Sequence, residues 1–279
     1  MVNFANFMRF VIAIFFVVSL ISCGPGMNKI LKSKDPAYKL KMADQFYAKK
    51  KWMKAQTIYE DVLPYYKTTP QAEDIYYKYA YSAYNQKDYL NAENLFKNFL
   101  EGYRNSPRAE EIEYMRAYTF FLQSPKAELD QTNTYKAMSN LQTFINTHPQ
   151  SVRNTEANRL IDELRKKLEI KDYKSAMLYY NMGEYRAAGV TFTTLLEKAP
   201  ESSAADEYKF MAVKSFYKAA ELTVLTKRVE RFKEVVSVAN DFLELFPDSK
   251  YGKDVQAYIT SSNSEIQKFS NNEQVKTTT

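Results

Sequence analysis

The sequence has few of the residues that catalysis, metal binding and disulfide bonding require. Its 279 residues include one cysteine and one histidine, so an internal disulfide cannot form and a His or Cys metal site lacks ligands. The phosphate-binding patterns GxGxxG and GxxxxGK followed by Ser or Thr are absent. Carboxylates are scattered without an outstanding pair. We therefore expect no enzyme and no cofactor.

The single histidine, His148, directly precedes Pro149 at a predicted turn. A catalytic histidine needs a nucleophile, and a metal-binding histidine needs further ligands. Neither a second histidine nor a suitably placed cysteine is present. We expect His148 to be a solvent-exposed turn residue.

Glycine and proline are also scarce, with six and nine copies, and they fall at turns between segments of helical periodicity. Residues 173–202 predict two helices joined at Gly183, which can adopt a left-handed conformation. Ala176 and Ala188 are small enough for the paired helices to approach closely, and Pro200 ends the second helix. This spacing is typical of the tetratricopeptide repeat, a helical hairpin of about 34 residues.

One such hairpin cannot bury its apolar face without neighbours, so further copies are expected. The same spacing of small, aromatic and proline residues does recur along the chain. The other copies are centred on small or apolar residues at Ala55, Ala92, Ala137 and Val235. In the first two copies the terminal prolines, Pro70 and Pro107, come three residues late. The pattern predicts an all-α fold, an α-solenoid of about five tetratricopeptide-like hairpins over residues 36–270. The polar residues 271–279 predict a disordered tail.

Residues 1–22 predict a signal peptide that is not part of this fold. The apolar run Phe10–Ile21 follows Arg9 and is too short to cross a bilayer, which needs about 20 residues. Leu20-Ile21-Ser22-Cys23 resembles a bacterial lipobox, so we expect Cys23 to be acylated and to anchor the chain to a membrane. Gly24 follows, with no acidic residue before Asp35, and by its resemblance to known sorting signals this favours the outer membrane. Residues 23–35 predict a lipidated tether.

The net charge is +6, and lysines cluster at Lys49–Lys51 and Lys54. The cluster has two interpretations: a solvated helix end, or attraction to anionic headgroups or lipopolysaccharide near the anchor. Nucleic acid is not an expected partner, because the export signal removes the chain from it.

Tyrosine is abundant, and several tyrosines fall on the first helices of the predicted hairpins. Such residues either line the peptide-binding groove of a solenoid or pack between neighbouring helices. Tyr77, Tyr81 and Tyr84 are four and three residues apart, which places them along one stripe, predicted to lie off the face that packs against Ala92 and Phe96. The candidate groove residues are Tyr47, Tyr77, Tyr81, Tyr84, Tyr173 and Tyr180.

Four segments resemble the BamD family, the lipoprotein component of the outer-membrane β-barrel assembly machinery. They are FLEGYRNSPRAEE at 99–111, LDQTNTYKAMSNLQTFINTHPQS at 129–151, YYNMGEYRAAGVTFTTLLEKAPES at 179–202 and FLELFPDS at 242–249. Asp130–Thr134 (DQTNT) is the most specific part, with Thr132 or Asn133 expected to cap the following helix. Arg104 departs from the family, which usually has proline there, and this puts the turn geometry in question.

The resemblance implies a lipid-anchored scaffold on the periplasmic face of the outer membrane. Such a protein binds the POTRA region of the Omp85-type (BamA-like) barrel insertase, other assembly lipoproteins and unfolded outer-membrane proteins. The alternative is a repeat lipoprotein that serves cell-wall synthesis or nutrient uptake. The DQTNT segment and the five repeats favour the assembly scaffold.

Overall fold

The computed structural model describes residues 26–277, with side chains to residue 269, so the predicted signal peptide and Cys23 lie outside the described residues. Within this range the chain forms only helices, and none is long and apolar enough to cross a membrane. They are α1 Met27–Leu31, α2 Pro36–Ala48, α3 Trp52–Tyr66, α4 Ala72–Asn85, α5 Tyr89–Gly102, α6 Ala109–Gln123, α7 Thr132–Thr147, α8 Asn154–Asn181, α9 Tyr185–Lys198, α10 Ala205–Leu222, α11 Leu225–Leu245 and α12 Gly252–Thr277.

The helices from α2 to α11 follow one another as five hairpins, which confirms the predicted fold class. The chain divides into two compact units. Of the described residues, unit 1 comprises 26–124 and 133–158, and so contains the hairpins α2–α3, α4–α5 and most of α6–α7. Unit 2 comprises residues 125–132 and 159–277, with most of α8 and the helices α9 to α12.

The predicted small-residue positions are core positions in both units. Ala55, Ala92, Ala137, Ala188 and Val235 are all 0% exposed. The residue four positions further along each second helix is buried as well. It is aromatic in three hairpins, leucine in the third and alanine in the fifth. These residues are Tyr59, Phe96, Leu141, Phe192 and Ala239. Each hairpin thus buries a stripe of residues with helical spacing.

The turn inside three hairpins has one geometry. Lys50, Lys87 and Gly183 have positive φ angles of 55°, 64° and 82°. The backbone N–H of each donates to the carbonyl three residues earlier, that of Tyr47, Tyr84 and Tyr180 respectively. This Schellman-type ending satisfies carbonyls that the helix leaves free. The prediction for Gly183 is confirmed, and two lysines occupy the same conformation.

The turns between hairpins also repeat, and they explain the late prolines. The backbone N–H of Thr69, Ser106, Ser151, Ser202 and Ser249 donates to the carbonyl three residues earlier at 2.8–3.1 Å. These five residues are therefore equivalent. Pro149 and Pro200 precede that residue by two, whereas Pro70 and Pro107 follow it directly, so the prolines mark different positions of one turn. Arg104 occupies the proline position without changing the turn.

Two predicted boundaries differ from the structure. Residues 27–31 of the expected tether form α1, and Ile30 is 0% exposed because it packs on the core of the first hairpin. The domain therefore begins before Pro36, where Asp35 caps α2 by accepting from the N–H groups of Ala37 and Tyr38. At the other end α12 continues through residues 271–277 of the expected disordered tail, since no glycine or proline interrupts it after Gly252.

Candidate functional site

The tyrosines of α4, the first helix of the second hairpin, are half-buried. The Tyr81 ring contacts Phe96 edge-on with centroids 5.4 Å apart, and Tyr77 lies 4.6 Å from Tyr81. Tyr84 packs 6.4 Å from Phe96. The prediction that this stripe lies off the face packed against Phe96 is wrong, because the large rings span the distance to the second helix.

The hydroxyls of this stripe are tied to the next hairpin. Tyr77 donates to Glu111 Oε1 at 3.0 Å, and Tyr81 donates to the same oxygen. Burial and the Glu111 carboxylate raise the pKa of Tyr77 to about 12. Burial and the hydrogen bond to Glu111 also raise the pKa of Tyr81. Both tyrosines therefore stay neutral hydrogen-bond donors, and Glu111 occupies both hydroxyls.

A chain of charged side chains runs beside these rings. Lys78 Nζ lies 2.8 Å from Asp44 on α2 and 2.7 Å from Asp74 on α4, and Asp74 accepts from Arg108 at 3.0 Å. The Arg108 guanidinium lies 4.4 Å from the centroid of Tyr77. We call these charges and the tyrosines Tyr47, Tyr77, Tyr81 and Tyr84 the first-helix face of unit 1.

The electrostatics of this face are balanced. Burial alone would raise the pKa of Asp74, but the hydrogen bonds from Lys78 and Arg108 hold it below its usual value. Burial would likewise lower the pKa of Lys78, and its bonds to Asp44 and Asp74 raise it instead. The face thus presents paired charges and aromatic rings, an arrangement suited to binding a peptide with both apolar and polar groups.

Unit 2 repeats part of this arrangement 96 residues later, as the pairs Tyr77 and Tyr173, Tyr84 and Tyr180 show. Tyr173 donates to Glu207 at 2.8 Å, and its pKa is raised to about 12 by burial and by this bond. However, Ile170 and Ala204 stand where unit 1 has Asp74 and Arg108. At these two positions unit 2 therefore lacks the charged side chains that Lys78 and Tyr77 contact in unit 1.

Three of the six predicted tyrosines share a structural position. Tyr47, Tyr84 and Tyr180 each contact the first residue of the following helix with centroids 5.2, 5.8 and 5.2 Å apart. These partners are Trp52, Tyr89 and Tyr185. Each pair packs the two helices of a hairpin together at its turn. The tyrosine at this position therefore has a structural role in the hairpin.

The charged partners of the face were missed by sequence reasoning. Only the Asp74–Lys78 pair has a local signal, because residues four apart on a helix are neighbours. Asp44 and Glu111 lie 34 residues from the groups that they bind, Lys78 and Tyr77. Such pairs become visible only when successive hairpins are placed side by side.

The loop before α7 holds the distinctive DQTNT segment. Asp130 accepts from the N–H of Thr132, the first residue of α7, at 2.9 Å, and the cap by Thr132 or Asn133 stays a prediction. Gln131 is 4% exposed, and its amide donates to the Lys126 and Leu129 carbonyls at 2.8 and 3.0 Å. The side chains of this segment fasten the loop to itself.

His148 also differs from expectation. It is half-buried, its Nε2 lies 2.7 Å from Glu113 Oε2, and its ring lies 5.1 Å from Phe144. Tyr103 and Phe246 hold the equivalent turn position and contact Phe99 and Phe242 in the same way. His148 therefore takes the place of a packing aromatic residue. In the described part of the chain no group of three His, Cys, Asp or Glu side chains could hold a metal ion.

Comparison with known proteins identifies the family. The family model for YfiO, described as an outer membrane lipoprotein, matches residues 32–189 and 174–268, which is most of the chain. The chain belongs to this family, the BamD family. It is therefore an outer-membrane lipoprotein of a protein-binding family with a role in outer-membrane assembly.

The solved structures include a similar helical-repeat protein. The TPR2AB domain of yeast Sti1, in a complex titled with pHSP90, is 11% identical and covers 82% of this chain and 98% of its own, with a TM-score of 0.40. No curated protein matches the chain significantly.

Proposed function

We propose that this BamD-family protein is an assembly scaffold of the outer membrane, held at the periplasmic face by acylated Cys23. It binds the POTRA region of an Omp85-type insertase, other assembly lipoproteins and unfolded barrel proteins. The observation that carries the proposal is the family match across residues 32–268, which covers all five hairpins.

The first-helix face of unit 1 is the proposed site for unfolded barrel segments. Its half-buried rings offer large, rigid contact areas at little cost in side-chain entropy. Tyr77 is held between Arg108 and Glu111, so it is oriented before a ligand arrives. In this proposal the terminal aromatic residue of a barrel substrate packs against the exposed part of these half-buried rings. Tyr173 and Tyr180 of unit 2 are proposed as secondary contacts.

The partner assignment is tested by affinity purification through a C-terminal tag from cross-linked envelopes. Recovery of an Omp85-type protein is expected. Recovery of cell-wall enzymes or glycan transporters in its place would overturn the scaffold and support the alternative envelope module. A Cys23→Ala chain serves as the control for contacts that depend only on membrane attachment.

The peptide site is tested by comparing Tyr77→Ala with Tyr65→Ala, which truncates a tyrosine that is 62% exposed on the second helix α3. Binding of a fluorescent peptide with a C-terminal aromatic residue should weaken by about 1–2 kcal/mol for Tyr77→Ala and hardly at all for Tyr65→Ala. Equal affinities of the two variants, with folding checked by thermal melts, would reject the site.

A further inference from the structure

The positive charge of the chain is concentrated in its first described hairpin. Residues 26–54 contain nine lysines and two aspartates, a net charge of +7, whereas the whole chain carries +6. All of these lysines except Lys39 are exposed, and Lys39 is buried against Asp61 at 2.6 Å. Of the aspartates, Asp35 caps α2 and Asp44 is bound by Lys78 and Tyr59. The lysines are thus left largely uncompensated.

The helix α1 joins this charge firmly to the N-terminal end of the fold. Ile30 is 0% exposed in a core cluster with Met42, Ala43 and Ile58, and so α1 is packed against the hairpin. Lys29 and Lys32 lie exposed on or next to α1. The packed domain therefore starts at α1, which shortens the segment between Cys23 and the fold.

The remaining segment is too short to separate the hairpin from a membrane. Gly26 follows Cys23 by three residues, and an extended chain spans at most about 3.6 Å per residue, or roughly 10 Å. The Debye length at physiological salt is about 8 Å. Lysines next to α1 would therefore lie within the range at which an anionic surface attracts them.

We propose that the α1–α3 surface, defined by the exposed lysines of residues 26–54, docks on anionic phospholipid headgroups of the leaflet that holds Cys23. The proposal rests on the acylation of Cys23 in the proposed function. The surface adds electrostatic attraction to the acyl anchor, and it sets the orientation of the first hairpin on the membrane. Electrostatic complementarity favours lipid headgroups, because the short link places them next to Lys29 and Lys32 in every anchored molecule.

Trp52, the only tryptophan, lies directly after Lys51 and reports on this surface. The full acylated chain is reconstituted into vesicles of phosphatidylcholine alone or mixed with phosphatidylglycerol, both with a trace of dansyl-labelled lipid. Energy transfer from Trp52 measures how close the hairpin lies to the headgroups. One variant neutralises Lys29, Lys32, Lys49 and Lys51 to glutamine. A control variant neutralises the exposed Lys166, Lys227, Lys233 and Lys253 to glutamine.

Phosphatidylglycerol should increase the transfer in the wild type and in the control variant, and salt at about 1 M should abolish the increase, because it shortens the Debye length to about 3 Å. Each lysine near the surface changes the docked population by about fivefold, so the four N-terminal substitutions should remove the increase. Equal transfer on both vesicle types, or equal losses in both variants, would overturn the proposal. Failure of the chain to co-float with either vesicle would instead refute the anchor, and this proposal with it.

Discussion

At Gly189 on α9, the addition of a single methyl group would cause a steric clash. A Cβ added there would stand 2.9 Å from the Phe216 ring, and Phe216 is only 8% exposed, so the ring has little room to move. Next to it, Ala188 is 0% exposed, as expected for a close approach of paired helices. The sequence pattern identified Ala188 but not Gly189, because a glycine inside a helix does not reveal what faces it.

Gly189→Ala should lower the free energy of unfolding. Overpacking costs about 1–3 kcal/mol, which exceeds the gain of up to about 1 kcal/mol from helix propensity. Gly102→Ala is the matched control, since nothing lies within 4 Å of its added Cβ and Gly102 is also helical. Urea unfolding should show a loss for the first variant and no loss for the second. A gain in both would mean that the ring of Phe216 yields.

Asp74 should make the stability of the protein depend on pH. Its pKa is lower in the folded chain than in the unfolded chain, because Lys78 and Arg108 stabilise the carboxylate despite its burial. A lowered pKa means that the stabilisation is present above the unfolded value of about 4 and is lost as the pH falls through the folded value. Asp74→Asn should therefore be less stable than the wild type at pH 7, and the two should converge in acid.

The measurement is the urea midpoint of both proteins across this pH range. Asp162→Asn is the control, because Asp162 pairs with Arg165 at 3.1 Å but is 71% exposed, and exposed ion pairs contribute little. A difference between Asp74→Asn and the wild type that stays constant into acid would contradict the ionic origin of the effect.

At the scale of elements, a serine joins each of four turns to the preceding hairpin. Ser106, Ser151, Ser202 and Ser249 donate to Glu73, Glu110, Glu169 and Asp206, each at the start of the previous first helix or, for Glu169, within α8. The same hydroxyl accepts from the backbone N–H two residues later, as Ser202 does from Ala204 at 3.2 Å. One side chain thus caps a turn and links two hairpins.

Ser202→Ala should reduce the stability of unit 2 by about 0.5–1.5 kcal/mol, the usual net contribution of an intramolecular hydrogen bond. Ser203→Ala changes the neighbouring serine, which is exposed, and should have almost no effect. Thermal melts of the two variants make the comparison. Identical melts would show that the Ser202–Glu169 bond contributes nothing net.

The turn inside the second hairpin is open to stabilisation. Lys87 has φ 64°, a left-handed conformation that costs a residue with a side chain about 1–2 kcal/mol and costs glycine nothing. Lys87→Gly should therefore stabilise the chain, as Gly183 already does at the equivalent turn. Lys97→Gly, at an exposed position inside α5, should destabilise it by about 1 kcal/mol. Denaturant midpoints that fall for both variants would contradict the conformational argument.

At the scale of the whole molecule, the two units carry related surfaces with different chemistry. Each unit has a hydrogen bond from a tyrosine to a glutamate at equivalent positions 96 residues apart, Tyr77–Glu111 and Tyr173–Glu207. The chain of paired charges from Asp44 to Arg108 is found in unit 1. The net positive charge lies at the first hairpin of unit 1. A division of roles follows, with substrate and membrane contacts proposed for unit 1.

Attachment of the whole molecule to the membrane should depend on one side chain. Cys23→Ala should prevent acylation and leave the protein soluble or uncleaved, because an acyl chain contributes about 0.8 kcal/mol for each buried CH₂ group. Immunoblots of fractionated envelopes provide the measurement. A processed Cys23→Ala chain that still floats with the outer membrane would rule out this anchor.

The sequence by itself determined the elements and their pairing. The features that predict them are local: apolar residues at helical spacing, small residues at Ala55, Ala92 and Ala188, and a glycine at 183. Local backbone preferences and periodicity are enough to predict helices and turns from such features. Residue motifs such as DQTNT also sufficed to place the chain in its family. Five hairpins and the identity of their core positions followed.

Only the tertiary structure decided which side chains meet across hairpins. Tyr81 and Glu111, Ser202 and Glu169, and Asp44 and Lys78 lie 30 to 34 residues apart. Their contact depends on the length of the intervening helices and turns, which sequence spacing leaves variable. The burial of Ile30 likewise depends on the core of the first hairpin, because five residues of helix are not stable alone and form only where a preassembled apolar surface covers them.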